Sequence, residues 1–221
     1  ASEPDGMVRY RSLLALGWVQ RHRSEVRFDR ALLNAEVERT VSRGFRYLDR
    51  SVVLAHAVAE DRSRQTEGFG LLVQMLTDKR ENAVERIFRL LALRYPKHPF
   101  LEMHRSLESR DKNAQASVIE LIENFLPSPL REALVALVEE DADLEARLAA
   151  GGAFHVVNDQ SYEDVLRQLL ASTSEIVRDL AAYHVAEMHL SIFASELREL
   201  EDSGRATPDV TRAIAILGGA P

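Results

Sequence analysis

Cysteine is absent from the 221 residues. That excludes disulfide bridges, thiolate-held zinc, iron–sulfur clusters and thiol nucleophiles. Aromatic residues are scarce, at 6% with a single tryptophan, and no basic stretch is interleaved with aromatics as nucleic-acid readers require. No apolar run approaches the roughly 18 residues needed to span a bilayer. Alternating strand patterns and tight hairpin turns are also missing. The chain opens on Ala1 without a basic-then-apolar leader, which sets a cytoplasmic location as the expectation.

What is present is ordinary for a globular chain. Hydrophobic residues make up 46% and charged residues 29%, enough to build a sizeable core. At about 150 residues per domain, the length allows one large domain or two small ones. The net charge of −7 is unevenly spread: residues 1–64 carry 12 Arg against 9 acidic side chains, and the remainder carries 16 basic against 26 acidic. An Arg-rich opening on an acidic body suits two faces of one structure or a junction toward a neighbour.

Helical periodicity runs through the whole chain. In 7–22, Tyr10, Leu13, Leu14, Gly17 and Trp18 make one apolar stripe and read as helix-packing residues. Asp29 is placed to cap a long second helix over 30–61, with a bend expected at Gly44. A further helix is expected from 64, interrupted at Asp78 and Lys79, resumed over 83–95 and stopped by Pro96 and Pro99. Shorter helices follow over 100–107, 113–126, 130–139 and 144–150, with Gly151 and Gly152 as a joint. After an unreadable stretch at 153–160 come 162–171, 174–190, 192–202 and 209–217.

Self-similarity is the strongest signal. At a shift of 31, Asn82, Ala83, Ile87, Leu90, Leu91 and Pro96 fall on Asn113, Ala114, Val118, Leu121, Ile122 and Pro127. At a shift of 34, Glu175, Ile176, Arg178 and Ala181 fall on Asp209, Val210, Arg212 and Ala215. Periods of this length fit helix pairs that bury their apolar faces by stacking on neighbours. The asparagines, or Thr173 and Thr207, would then sit at helix starts and satisfy free backbone N–H groups. Small residues such as Ala181 and Ala215 would let helices approach closely. The fold expected is all-α: a right-handed α-solenoid of antiparallel helix pairs with less regular N-terminal helices, divided as 1–150 and 151–221 along one continuous stack.

The pieces TSEIVRDLAAYHVAEM and TPDVTRAIAIL resemble HEAT repeats. Two further segments, VRYRSLLALGWVQRHRSEVRFDRALLNAEVE and the stretch from DKRENAVERIFRLLALRYP to SPLREALVALVE, resemble the HEAT-like region that follows the membrane part of some bacterial major-facilitator proteins similar to ADP/ATP translocases. The resemblance covers most of the chain and rests on leucine-and-charge patterns. It implies a soluble, non-catalytic module beside a membrane or cyclic-nucleotide-binding domain, and it carries over no transport chemistry.

The residues that could carry chemistry are few. His184, Glu187 and His189 cluster in YHVAEMH, but a zinc helix needs histidines at i and i+4 with Glu directly after the first; they read as packing or surface residues. His98 and His104 read as a loop residue and a surface helix residue. The acidic run Glu139, Glu140, Asp141, Asp143 and Glu145 lacks the spacing and central glycine of a calcium loop and reads as a solvated turn. EGFG at 67–70 and AAGGAF at 149–154 lack a phosphate-loop pattern. No catalytic, cofactor or metal residue is assigned, and the chain is read as not an enzyme. Arg9, Arg11, Arg21, Arg23 and Arg27 are the candidate contacts for an anionic partner: a lipid headgroup or an acidic protein face, not specific nucleic acid. The function expected is protein–protein interaction or scaffolding. A transporter's regulatory region and an anion-surface binder are the alternatives, with a hydrolase or ligand-binding enzyme further behind. The anion-surface reading also requires that replacing Arg9, Arg11, Arg21 and Arg23 by Glu abolish binding to anionic liposomes.

Overall fold

The computed structural model describes residues 6–23, 25–109, 111–139 and 141–218. These form α1 (Gly6–His22), α2 (Arg30–Glu60), α3 (Glu67–Arg94), α4 (Phe100–Glu108), α5 (Lys112–Phe125), α6 (Leu130–Val138), α7 (Leu144–Ala150), α8 (Tyr162–Leu170), α9 (Glu175–Glu187), α10 (Ala194–Asp202) and α11 (Pro208–Gly218), with single 3-10 turns before α3 and α10 and no strand among the described residues. The chain divides into two compact units, Ala1–Leu48 with Lys79–Val157, and Asp49–Asp78 with Asn158–Pro221. Two of the boundaries fall inside α2 and α3. The third falls between Val157 and Asn158.

In the first unit, α2 delivers Leu33, Val37, Val41, Phe45 and Leu48 to the core, a spacing of three to four that keeps them on one face. Asp29 starts this helix as expected: its Oδ1 accepts the Ala31 and Leu32 amides at 2.7 and 3.2 Å. From α3 come Ile87, Phe88 and Leu91, and then α4 packs on α5, α5 on α6 and α6 on α7 in chain order. Where a bend was expected, α2 runs unbroken through Gly44. The missing side chain makes room instead, since a Cβ there would lie 3.0 Å from Leu137 Cδ1. Likewise α3 continues through Asp78 and Lys79, so Asn82 lies mid-helix and not at a helix start. The cap expected of Asn113 belongs to Asp111, whose Oδ1 accepts the Asn113 amide at 2.9 Å and the Ala114 amide at 3.4 Å. The shift of 31 does carry burial in part: Ile87 and Leu91, and Val118 and Ile122, are all core residues.

In the second unit, α8 packs on α9 and α10 on α11, while α9 lies against α11 and α8 against α10. A capping box of Ser161 and Asp164 opens α8. Thr207 Oγ1 accepts the Val210 amide at 3.3 Å and so opens α11, as the sequence suggested. The turns after α8 and α10 are stitched together. Arg178 donates to the carbonyls of Ser172 and Arg205, Arg205 donates back to Ser172 at 2.7 Å, and Thr207 donates to Asp179. The shift of 34 does not carry burial, however. Ile176 is exposed where Val210 is buried, and Arg178 and Ala181 are buried where Arg212 and Ala215 are exposed. The helices themselves begin 33 apart, at Glu175 and Pro208, which brings the buried Val177 into line with Val210.

Gly70 faces open space inside α3. Gly70→Ala is therefore expected to stabilise the chain by about 0.5–1 kcal/mol, the helical difference between the two residues, read as a higher urea midpoint.

Candidate functional site

Helix α1 buries none of its residues. It is held to α3 by polar groups. Tyr10 donates to Glu85 at 2.9 Å and accepts from Arg89 at 3.2 Å, with the Arg89 guanidinium 5.2 Å from the Tyr10 ring centroid; Gln20 donates to the Leu93 carbonyl at 2.8 Å. Met7, Val8, Leu14, Leu16 and Trp18 are exposed along α1; at about 100° per residue the outer side gathers Met7, Val8, Leu14 and Trp18, while Leu16 points away from Met7. Trp18, expected to pack between helices, is 56% exposed and stacks at 4.4 Å on His22 instead.

The five arginines singled out from the sequence are not gathered into one patch. Arg11, Arg21, Arg23 and Arg27 are exposed, and Arg23 makes a 3.8 Å pair with the equally exposed Glu25. Arg9 turns inward and is half-buried. At about 100° per residue, Arg11 and Arg21 point well away from it around the helix.

His184 is fully buried, and its ring nitrogens are spent within the fold. Tyr162 Oη lies 2.5 Å from Nε2, and Thr66 Oγ1 lies 3.1 Å from Nδ1. Burial lowers the imidazole pKa against the opposing pull of Glu187, whose Oε2 is 3.7 Å from Nδ1. Burial also pushes the Tyr162 phenol up to about 12, against the Arg64 guanidinium that lies 4.6 Å over its ring. We therefore assign neutral partners: Tyr162 donates to Nε2 and Nδ1–H donates to Thr66. Burial raises the Glu187 pKa, but the hydrogen bonds from Thr66 and the Gly68 amide, together with His184, outweigh it and hold the carboxyl below its ordinary range. This chain of groups ties the start of α3 to α8 and α9. Of the ligand-like trio in the sequence, Glu187 does face His184, while His189 lies beyond α9 in the left-handed region at φ 50°. Tyr162 and Thr66 escaped the sequence reading because they lie 22 and 118 residues from His184, with no local pattern linking them.

A groove of about 570 Å³ lies along α5, α6 and α7. Ala136, Ala142, Ala146 and Ala150 line it, with Glu123, Glu132 and Glu139 among its polar groups. Arg147, buried in its wall, donates to the Ala136 and Leu137 carbonyls at 2.7 and 3.3 Å. The acidic run beside it is committed locally in two places: Asp143 caps α7 through the Glu145 and Ala146 amides, and Asp141 pairs with Lys112 at 3.0 Å. Glu140 lies outside the described residues. His98 is the exposed loop residue expected, 4.4 Å from the Phe125 ring. His104 is half-buried, 5.6 Å from Phe88, and burial lowers its pKa against Glu108.

Among the described residues, no group of three or more His, Asp or Glu side chains could hold a metal, and no helix is long and apolar enough to cross a membrane. No protein-family model, curated protein or solved structure matches the chain.

Proposed function

We propose that the protein is a non-catalytic helical-repeat module that binds a protein partner through the outer side of α1. The observation that carries this is a helix without a buried residue that displays Met7, Val8, Leu14 and Trp18 within an arc of about 120°. Such a surface gains roughly 1.5–3 kcal/mol for each side chain that a partner fully covers. The packing of α9 on α11 and of α8 on α10 supports a HEAT-like repeat as the scaffold, since stacked pairs display long surfaces. The neighbour suggested by the translocase-like resemblance, a domain of the same polypeptide, is the alternative partner, and a cytoplasmic setting belongs to the same proposal.

The test compares the chain with a Leu14→Glu/Trp18→Glu variant in affinity capture from source cells, followed by calorimetry on the partner obtained. Binding should weaken about 30-fold or more, with no change in melting temperature because α1 contributes nothing to the core. Equal capture by both chains would remove α1 as the docking face.

A further inference from the structure

We propose that the chain associates with itself head to tail, the outer side of α1 in one copy seating in the groove along α5, α6 and α7 of a second copy. This rests on the reading of α1 as a docking face and gives that face its partner. Both features belong to the first unit, and no described residue of α1 lines the groove.

Helix α1 is cationic as well as apolar. Gly6–His22 contains Arg9, Arg11 and Arg21 and no acidic residue. At about 100° per residue, Arg11, Leu14, Trp18 and Arg21 fall within an arc of about 80°, and all four are exposed. The indole and the isobutyl group offer apolar area, and two guanidiniums lie in the same strip. Such a strip suits a partner that is apolar and acidic at once, and tryptophan and arginine are the side chains that most often anchor an interface.

The groove has that character. Its volume of about 570 Å³ takes several large side chains, and much of its lining stops at Cβ, at Ala136, Ala142, Ala146 and Ala150. Arg131 is tied to Glu132 at 2.7 Å, and Arg147 donates to the Ala136 and Leu137 carbonyls. The exposed carboxylates of Glu123 and Glu139 are left to set the charge that an occupant meets. A second copy is the occupant that this charge favours, because one chain carries both halves: 12 Arg against 9 acidic side chains over residues 1–64, then 16 basic against 26 acidic. Face and groove lie at different places, so the contact is heterologous. Each added copy leaves one face and one groove open, and the assembly grows into chains or closes into a ring.

The test is sedimentation velocity of the full chain from about 1 to about 200 μM. The weight-average mass should rise with concentration above the 24.9 kDa of one chain, and should fall back as NaCl is raised from about 0.05 to about 0.5 M. Leu14→Glu/Trp18→Glu removes the face. Ala150→Arg sets a charge of the same sign as α1 at the groove, on the last residue of α7, where a cation suits the helix dipole. Each variant alone should weaken self-association about tenfold or more, and Glu123→Lys, an exposed change on α5, should act as Ala150→Arg does. A mixture of the α1 variant with the Ala150→Arg variant should form dimers and nothing larger, since each keeps the half that the other lacks. A chain that is monomeric throughout, self-association that survives the α1 variant or both groove variants, or a mixture that stays monomeric would overturn the second copy as the occupant. The two readings fail separately: a monomeric chain that still captures another protein through Leu14 and Trp18 overturns the second copy and keeps α1 as a docking face, whereas self-association that survives the α1 variant together with equal capture overturns both.

Discussion

Gly151→Ala is expected to cost about 3 kcal/mol, the upper part of the range for overpacking a core. A methyl group there would lie 2.3, 2.4 and 2.6 Å from Phe45 Cδ1, Cε1 and Cγ. Those distances are far inside van der Waals contact, and Phe45 is fully buried, so the ring moves only if its neighbours move too. The backbone is not at fault, because φ −85° and ψ 1° at Gly151 suit any L-residue. Gly152→Ala is the matched control. Its Cβ would meet only the Ala149 carbonyl oxygen, at 3.4 Å, and its urea midpoint should stay close to that of the parent. Placing Phe45→Leu in the Gly151→Ala chain should restore part of the loss, so that the double variant is more stable than the two single losses added together. A Gly151→Ala chain with the parent's midpoint would mean that α7 does not end against this ring.

The sequence expectation treated Gly151 as a joint in the chain, and the difference marks the limit of local reading. Prolines, glycines and capping residues act on their own few neighbours, so α7 was expected over 144–150 and is found there, and Asp29 was expected to open α2 and does so. What a residue presses against comes from elsewhere in the chain. Gly44 is small because of Leu137, and Gly151 because of Phe45. Asp78 and Lys79 looked like a break because a charged pair interrupts an apolar stripe; neither is buried, and a helix tolerates polar residues on a side that faces water. The repeat at a shift of 34 was a match of letters, not of burial, because the two helix starts are one residue out of step with it. The candidate sites divide the same way. Glu187 was visible beside His184, but Tyr162 and Thr66 reach that ring only when α8 and the start of α3 meet α9, and no spacing within one helix announces that.

The buried histidine makes the second strong prediction, and its sign follows from the direction of its shift. His184 has a folded pKa below the ordinary 6.5 because burial penalises the imidazolium. Between 6.5 and the lower folded value, the unfolded chain therefore binds a proton that the folded chain refuses. Stability contributed by this group is complete above about pH 6.5 and is lost as the pH falls through that window, with a slope of up to about 1.4 kcal/mol per pH unit. Every neighbour of the ring enters the balance. Tyr162 from α8 and Thr66 from the start of α3 bond its neutral form, Phe69 meets it edge-on at 5.9 Å, Glu187 favours the cation, and Arg64 lies over Tyr162. Tyr162→Phe would leave Nε2 buried without its partner and should cost about 1–3 kcal/mol at neutral pH. His184→Gln should instead flatten the acid limb of stability, measured as urea midpoints from about pH 5 to pH 8. His104 is shifted the same way by burial, so some slope should persist until His104→Gln is added. If the wild-type and His184→Gln profiles run parallel through this window, His184 does not carry the acid sensitivity, and its burial serves only to join α3, α8 and α9.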